Sequence, residues 1–403
     1  MADNGGLGDR LRRKRRENSL TQEELAHLSN VSQVMIAKTE QGRRQPRLSV
    51  LAKLADALDV PLSELLDNRP RLDGHRDGAS VLAIRDALLS PSQLPGISLS
   101  TDDGEPTPLP QLRAAVAEAA RLYWAGAFAA LAAILPGLIR EARLTAQAAG
   151  PEASSLLAQS YSLAAEFMVH MGKEDLAAVA AERGITAAIA SNDELLHAML
   201  EGNYAWVILH QGRLTESERL AADAADRIEP SFSAPAQHLA VWGSLLMNAL
   251  APAAAAGREI TEYVSLASAA GERLGRRVSI YQTSFAPATV HMQACHAYAV
   301  TREPAKALAY ARKIAPGDLT GISYGRHLLD VAQAHTDARH PAAATAVLNQ
   351  ARTQAPVWFR HQGVARSLVN DLVEQQKRLS PALRELAASV DPHWYAPYFR
   401  RGE

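Results

Sequence analysis

The stretch LTQEELAHLSNVSQVMIAKTEQGRRQP (Leu20–Pro46) decides the fold of the N-terminal region. It predicts two short helices that are joined by a tight turn. Thr21 and Glu24 have the spacing of a capping box, which starts the first of these helices. Asn30 can adopt the left-handed backbone conformation that ends this helix, and Ser32 can cap the next one.

The second of these helices is predicted to have one buried face and one free face. Ile36 faces the core, while four residues share the opposite face: Gln33, Val34, Ala37 and Lys38. A helix that presents such a face beside a turn can enter the major groove of DNA. Gln33 and Lys38 can hydrogen-bond to base edges, and Val34 can contact a thymine methyl group. The motif therefore predicts sequence-specific binding to double-stranded DNA.

The sequence around this motif predicts a compact bundle of five helices, over residues 7–17, 21–29, 32–41, 47–59 and 61–67. Their apolar residues recur at helical intervals and are expected to form one core. These residues are Leu11, Leu25, Ala26, Leu28, Val31, Ile36, Leu48, Leu51, Leu54, Leu58, Leu62 and Leu65.

From Leu7 to Leu66 the chain resembles the Cro-like, xenobiotic-response-element family of bacterial and phage regulators, which has a lambda-repressor-like fold. The resemblance implies base contacts from Gln33, Val34 and Lys38, and contacts at phosphates or the border of the site from Gln22 and Ser32. It also implies backbone contacts from Arg43 and Arg44, and an internal ion pair between Arg15 and Glu40. Asn30 and Thr39 depart from the family pattern, in which these positions hold a glycine and an apolar residue.

Charge and composition agree with a DNA-binding N terminus. Residues 1–53 carry 11 Lys and Arg against 6 Asp and Glu, although the whole chain has a net charge of −1. On the first helix, Arg12, Arg13, Lys14 and Arg16 form either a solvated face or a set of phosphate contacts. Cys295 is the single cysteine, which excludes a disulfide framework, and the start of the chain has no apolar signal region. We expect a cytoplasmic, nucleoid-associated protein.

Beyond Pro110 the sequence predicts a helical repeat. Aromatic residues make up 5% of the chain and alanine dominates long stretches, which favours close-packed helices over sheets. Helices end near Gly126, Gly172, Gly212 and Gly257, at intervals of 46, 40 and 45 residues. Similar turns occur near Pro304 and His340. Helical hairpins at this period are typical of α-solenoids, and the pattern resembles degenerate tetratricopeptide repeats.

These observations predict an all-α protein with three regions: a DNA-binding domain at 1–70, a linker with one helix at 71–110, and a tetratricopeptide-like domain at 111–403 that binds an effector and dimerises. Two apolar stretches, 122–139 and 230–257, are interrupted by Pro or Gly and are expected to be buried hairpins rather than membrane spans. We expect no membrane association.

Several segments of the whole chain resemble actinobacterial regulators of roughly 400 residues that join these two domain types. They are AIRDALL (83–89), RLYWAG (121–126), SFAPATV (284–290) and RHLLDVAQAH (326–335). The resemblance implies a regulator of development or secondary metabolism. A more distant similarity to Gram-positive peptide-pheromone receptors implies that the repeats bind a short peptide. On this basis we expect a homodimer that binds an inverted-repeat operator.

Polar and aromatic residues on the first helix of each hairpin are candidates for contact with a peptide or small-molecule effector; the alternative is that the aromatic residues belong to the core between hairpins. Mid-helix asparagines are poor helix formers, which favours a binding role for the two in this set. The candidates are Gln159, Tyr161, Asn203, Tyr204, Trp206, Trp242, Asn248, His291 and Gln293, together with Tyr123 and Trp124.

The sequence has no signature of an enzyme, since it lacks GxxxxGK[ST], GxGxxG, HExxH and GxSxG. His291, Cys295 and His296 are the candidate metal ligands, since His291 and Cys295 stand one helical turn apart. A second cysteine or carboxylate does not accompany them, so we expect neither a metal nor another cofactor. Two functions remain open at this stage. One is a ligand-sensing regulator, and the other is a DNA-tethered adaptor whose repeats bind a protein partner.

Overall fold

The structure of the protein is a computed structural model that describes residues 7–42, 46, 48–60, 65, 75–91, 105–315, 317–319, 321–354, 358–359, 362–376 and 378–390. These residues form nineteen helices and one two-stranded ribbon, so the fold is all-α as predicted. The chain divides into two compact units, Met1–Pro287 and Ala288–Glu403. This division lies inside the region that was predicted as one repeat domain.

The N-terminal bundle contains α1 (Leu7–Glu17), α2 (Gln22–Ser29), α3 (Gln33–Glu40) and α4 (Leu48–Ala57). The fifth predicted helix lies largely outside the described residues, but Leu65 is described and fully buried. The bundle has one apolar core, as predicted, formed by Leu11, Leu25, Val31, Ile36, Leu51, Leu54, Ala55, Leu58 and Leu65.

The assignment of Leu28 to this core was wrong. Leu28 is 59% exposed, whereas its neighbours Leu25 and Ser29 on α2 are buried. Because α2 has only eight residues, its buried face holds few positions, and Leu28 falls on the other side. Ala26 is partly buried against the core.

Helix α5 (His75–Leu88) follows the bundle and lies in the segment 71–110 for which one helix was predicted. Its Ile84 and Leu88 are fully buried, and it packs against α7 (Phe128–Ala149). Residues 71–74 and 92–104 of the predicted linker lie outside the described residues.

The rest of the first unit is a succession of antiparallel helices. They are α6 (Leu109–Trp124), α7, α8 (Pro151–His170), α9 (Glu174–Ala190), α10 (Glu194–His210), α11 (Leu214–Arg227), α12 (Ala236–Ala256) and α13 (Thr261–Leu274). Each helix packs against the next, and α10 also packs against both α8 and α12. This is the neighbour-on-neighbour packing of a tetratricopeptide-like solenoid, in which each hairpin covers the apolar face of the one beside it.

The glycine positions that defined the repeat do end helices or form the turns between them. Gly126, Gly172, Gly212 and Gly257 all have positive φ angles, between 68° and 86°. Glycine adopts this conformation without the steric cost that a side chain would add. The helical hairpins are therefore joined at the positions that the sequence predicted.

Helix α12 lies within the apolar stretch 230–257. Of the helices in the described part of the chain, it alone is long and apolar enough to span a membrane. Its most apolar window has a mean hydropathy of 1.5, and 78% of that window is buried inside the protein. Its apolar side chains therefore pack against neighbouring helices.

A β-ribbon that the sequence analysis did not predict follows α13. Strands β1 (Val278–Ile280) and β2 (Thr283–Phe285) pair antiparallel and are joined by the two-residue turn Tyr281–Gln282. Both turn residues have positive φ angles, 48° and 63°, which matches the twist of a tight hairpin. The ribbon packs on α12, where a Cβ at Gly243 would lie 2.2 Å from the Phe285 ring.

The second unit contains α14 (Pro287–Val300, which begins at the boundary), α15 (Pro304–Ala311), α16 (Gly321–Asp337), α17 (Pro341–Gln354), α18 (Gly363–Glu374) and α19 (Pro381–Val390). Within this unit α16 packs against α15, α17 and α18, and α19 packs against α17 and α18. A hydrogen bond of 2.8 Å between His296 Nδ1 and Asp330 Oδ1 connects α14 to α16.

Candidate nucleic-acid interface and ligand-binding face

The free face of α3 is formed by the residues that the motif singled out. Ser32 caps the helix, because its hydroxyl accepts a hydrogen bond of 3.3 Å from the Met35 amide. Ile36 and Thr39 point into the protein and are buried. On the other side Gln33, Val34 and Lys38 are exposed, Val34 to 62%, and Ala37 is partly exposed. These four residues form one surface that is open to a ligand.

Local hydrogen bonds define both ends of α2. The Glu24 amide donates to Thr21 Oγ1 (3.1 Å), and the Thr21 amide donates to Glu24 Oε2 (2.7 Å), which completes the predicted capping box. Asn30 ends the helix with φ 51° and ψ 40°, and its amide donates to the Ala26 carbonyl. Asparagine tolerates this left-handed conformation, so it replaces the family's usual glycine.

A buried ion pair attaches α1 to α3. Arg15 donates two hydrogen bonds to Glu40, from Nε to Oε1 (2.7 Å) and from a terminal nitrogen to Oε2 (3.0 Å). The side-chain amide of Gln22 donates to Glu40 Oε2 (2.8 Å), and the Arg12 guanidinium donates to the backbone carbonyl of Glu40 (2.9 Å). The fork of an arginine matches a carboxylate well, and removing one partner of a buried pair is strongly destabilising. The position of α3 therefore depends on this cluster.

Burial of Glu40 favours its neutral form, but its partners outweigh this effect. Hydrogen bonds from Arg15 and Gln22, together with the charges of Arg15 and Arg12, hold the pKa of Glu40 below its ordinary value. The hydrogen bond to Glu40 in turn raises the pKa of Arg15. Both groups are therefore charged at neutral pH, and the ion pair is intact.

The structure changes the interpretation of two predicted contact residues and leaves two others undescribed. Gln22 and Arg12 both bind Glu40, a connection that the sequence analysis missed because it depends on a contact between separate helices. Arg13 is half-exposed and pairs with Glu17 at 3.8 Å. Arg43 and Arg44, predicted to contact the DNA backbone, lie outside the described residues.

Comparison with known proteins identifies this N-terminal region. A helix-turn-helix family profile matches residues 11–65. An uncharacterised HTH-type transcriptional regulator, y4dJ of Sinorhizobium fredii, is 43% identical over 60 residues, which cover 78% of that protein and 15% of this chain. The chain belongs to the HTH-type transcriptional regulators. Its helix-turn-helix is of the xenobiotic-response-element type, as the sequence motif implied.

Two solved structures are similar to larger parts of this HTH-type regulator. Bacillus thuringiensis PlcR, in complex with the peptide PapR7 and DNA, aligns over 66% of this chain and 95% of its own, with 16% identity and a TM-score of 0.30. BtubC from P. vanneervenii aligns over 61% of this chain and 91% of its own, with 15% identity and a TM-score of 0.34. At such scores these similarities establish neither a shared arrangement of domains nor a shared function.

Several predicted effector residues of the regulator lie on neighbouring helices of the first unit. We call one surface the α8–α10 face, and define it as Gln159, Ser162, Glu166 and His170 on α8 with Asn203 and Trp206 on α10. Gln159, Asn203 and Trp206 were predicted, and all three are partly buried. Glu166, Ser162 and His170 were not. Their spacing along one side of α8 was visible in the sequence, but their neighbours on α10 were not.

The turn of the β-ribbon touches one end of this face. The side-chain amide of Gln282 donates a hydrogen bond to Gln159 Oε1. The backbone carbonyl of Gln282 accepts a hydrogen bond of 2.9 Å from the Trp124 indole. The Tyr281 hydroxyl donates to Asp193 Oδ2 (2.6 Å) at the start of α10. Tyr281 also packs against the buried apolar cluster that includes Leu196 and Leu200.

The other predicted effector residues lie elsewhere. Tyr161 is 3% exposed and lies between α8 and α9, so its assignment to a ligand-lining surface was wrong. Tyr204 donates to Glu182 on α9 (3.1 Å), Asn248 lies against Gly202, and Trp242 is partly buried on α12. His291 and Gln293 are on α14 in the second unit.

Cys295 is buried on the same helix as His291, and burial raises the pKa of its thiol. A thiol in such surroundings stays protonated and behaves as a small apolar side chain. Among the described residues there is no group of three or more His, Cys, Asp or Glu side chains arranged to hold a metal ion.

Proposed function

We propose that this HTH-type regulator reads a specific DNA operator through the free face of α3. The exposure of Gln33 and Lys38 on a helix held in place by a cap and a buried ion pair carries the proposal. Lys38 can donate to guanine O6 and N7, Gln33 can bind an adenine edge, and Val34 and Ala37 supply apolar contacts. Gln22 and Ser32 stand at the border of this surface, and Arg43 and Arg44 are assigned to the DNA backbone.

The proposed operator is an inverted repeat that is bound by a homodimer. A single DNA-binding module of this size buries only about 600–1,000 Å² of protein surface, which is little for a tight and specific complex. Two such modules at half-sites about 10 base pairs apart, or a multiple of this distance, provide the missing affinity. In this proposal the DNA-reading domain is 1–70, the linker is 71–110 and dimerisation is a property of residues 111–403.

The helical repeats are proposed to sense a small molecule or a short peptide in the cytoplasm. The partly buried amide, carboxylate and aromatic side chains of the α8–α10 face support this function, because ligand sites combine apolar walls with a few convergent polar groups. A tenfold change in operator occupancy requires only about 1.4 kcal/mol of coupling between ligand and DNA.

The test of operator reading is selection of bound duplexes from a random pool by the full-length protein, followed by affinity measurement on the selected site. Lys38→Ala should lose about 1–3 kcal/mol on that site and relax the preference at one base pair, while binding to random duplexes changes much less. Lys173→Ala removes the same charge from an exposed position at the start of α9 and is the matched control.

A selection that yields no shared motif would contradict operator reading. Equal losses by Lys38→Ala on the selected site and on random DNA would instead remove Lys38 from the reading face. If the protein selects an operator but operator occupancy responds to no host extract or metabolite pool, the sensing function is contradicted. The alternative is then an adaptor whose repeats bind a protein partner.

A further inference from the structure

Glu166 stands at the centre of a polar network between α8 and α10. The side-chain amide of Asn203 donates to Ser162 Oγ (2.6 Å) and to Glu166 Oε1 (3.2 Å). The Ser162 hydroxyl donates to the same Glu166 oxygen (3.3 Å). The Tyr123 hydroxyl on α6 acts as a further hydrogen-bond partner that lowers the pKa of Glu166, and it lies 3.2 Å from His170 Nε2. Three elements therefore direct neutral donors at one carboxyl group.

Among the groups that act on the pKa of this carboxyl group there is no charged side chain. Burial raises the pKa of Glu166 to about 7, and the hydrogen bonds from Ser162 and Tyr123 only partly oppose this effect. By contrast, Glu40 has Arg15 and Arg12 beside it and a lowered pKa. An unpaired, desolvated carboxylate is unfavourable for the folded state, and groups of this kind are concentrated at functional sites.

Aromatic rings surround the network. His170 lies one turn beyond Glu166 on α8, with its ring 5.1 Å from Phe128, 5.8 Å from Tyr123 and 5.8 Å from Trp206, measured between centroids. Trp206 in turn packs edge-on against His210 at 4.5 Å. The faces of Trp, Tyr and Phe rings attract cations, most strongly when water is excluded.

The site has access from solvent. Glu166, His170, Asn203 and Trp206 each retain some exposed surface, although the Glu166 carboxyl group itself is desolvated. An anion would be repelled by the ionised Glu166, and a neutral ligand would leave its charge unpaired. A cation compensates the charge and also gains the aromatic contacts.

We propose that Glu166 anchors a ligand through an ammonium group that is attached to an apolar or aromatic body. The ammonium group binds Glu166, with Ser162, Asn203 and Tyr123 fixing the carboxylate, and the apolar body packs on Trp206 and His170. This chemistry is shared by arylalkyl amines and by short apolar peptides with a free N terminus. The inference rests on the proposed sensing function and names the class of its ligand.

The experiment is calorimetric titration of the full-length protein at pH 8 with four probes. The first pair is 2-phenylethylamine and 2-phenylethanol, which differ in charge but hardly in shape. The second pair is a Phe-Leu-Ala peptide amide with a free or an acetylated N terminus. We expect at least one of the charged probes to bind at least tenfold more tightly than its neutral partner. The pair that shows this difference identifies an amine or a peptide as the source of the ammonium group.

Glu166→Gln keeps the shape of the side chain and removes its charge. The affinity for the charged probe should therefore fall at least tenfold. The control is Glu182→Gln, which removes a carboxylate from α9 that binds Tyr204 at an exposed position, and which should leave affinity unchanged. Equal binding of charged and neutral probes, binding that survives Glu166→Gln, or no binding of either charged probe at millimolar concentration would overturn the proposal.

The two hypotheses fail separately. Operator occupancy that responds to a host extract while both ammonium probes fail to bind contradicts the cation site and leaves sensing in place. A charged probe that binds through Glu166 without any effect on operator occupancy supports the site and contradicts its role in regulation.

Discussion

The Glu166 carboxyl group destabilises the folded protein once it is ionised. Its pKa in the folded state is about 7, against 4.5 for an ordinary glutamate. Between these pH values the folded state holds a proton that the unfolded state has lost. Stability attributable to this group is therefore fully present below pH 4.5, decreases as the pH rises to about 7, and is constant above that.

Replacing Glu166 with glutamine should remove this pH dependence. We expect Glu166→Gln to raise the stability of the first unit at pH 8 relative to wild type, and to change it much less at pH 5. The pKa shift of Glu166 from 4.5 to about 7 corresponds to a change of at most roughly 3 kcal/mol in the free energy of unfolding. Urea melts at the two pH values, followed by far-ultraviolet circular dichroism, measure the difference. A variant that is less stable than wild type at pH 8 would show that the carboxylate is compensated.

Residues whose role depends on near neighbours in the chain could be predicted from the sequence, whereas residues in contacts between distant helices could not. Thr21, Asn30 and Ser32 were assigned correctly because caps and turns depend on neighbouring residues. Glu166 was missed, and Tyr161 was misplaced, because their surroundings are formed by helices that are distant in sequence. In an alanine-rich helix the sequence does not define which face is buried, because several faces are equally able to pack.

Among the elements, α1 and α3 make an unusually close contact. A Cβ added at Gly8 would lie 2.3 Å from the Thr39 carbonyl oxygen and 2.9 Å from the Glu40 carbonyl carbon. Both are backbone atoms at the end of α3, and they cannot move aside without shifting this helix. This approach allows Arg12 and Arg15 to reach Glu40.

We therefore expect Gly8→Ala to destabilise the N-terminal bundle by about 1–3 kcal/mol and to weaken specific DNA binding. Gly137→Ala is the matched control, since no atom lies within 4 Å of its added Cβ and alanine favours a helix by up to about 1 kcal/mol. Hydrogen exchange of amides in α1 and α3, together with operator affinity, reports the effect. Unchanged exchange in α1 and α3 of Gly8→Ala would mean that the two helices separate freely.

The β-ribbon is the element that sequence patterns failed to predict. Its strands have three residues each, too few for a recognisable alternation, and its turn contains Tyr281 and Gln282 rather than the usual Asn and Gly. The helical hairpins, by contrast, were visible from glycine spacing alone. Repeats leave a periodic signal, whereas a single ribbon that is held by tertiary contacts does not.

For the whole molecule, the main prediction is the oligomeric state. We expect sedimentation equilibrium of the full-length protein at micromolar concentration to give twice the chain mass of 43.3 kDa. Footprints on the selected operator should then show two half-sites with centres about one helical turn apart, or a multiple of it. A monomer in solution that also protects a single half-site would contradict the proposed homodimer.

The ribbon contact has a consequence for the newly synthesised protein. Trp124 is separated from Gln282, to which it donates, by 158 residues, and the ribosome adds about 5–20 residues per second. Trp124 is therefore synthesised about eight to thirty seconds before the turn that contacts one end of the α8–α10 face exists. Each new molecule thus begins without the ribbon contact at this end of the face, and a ligand present during translation meets that form first.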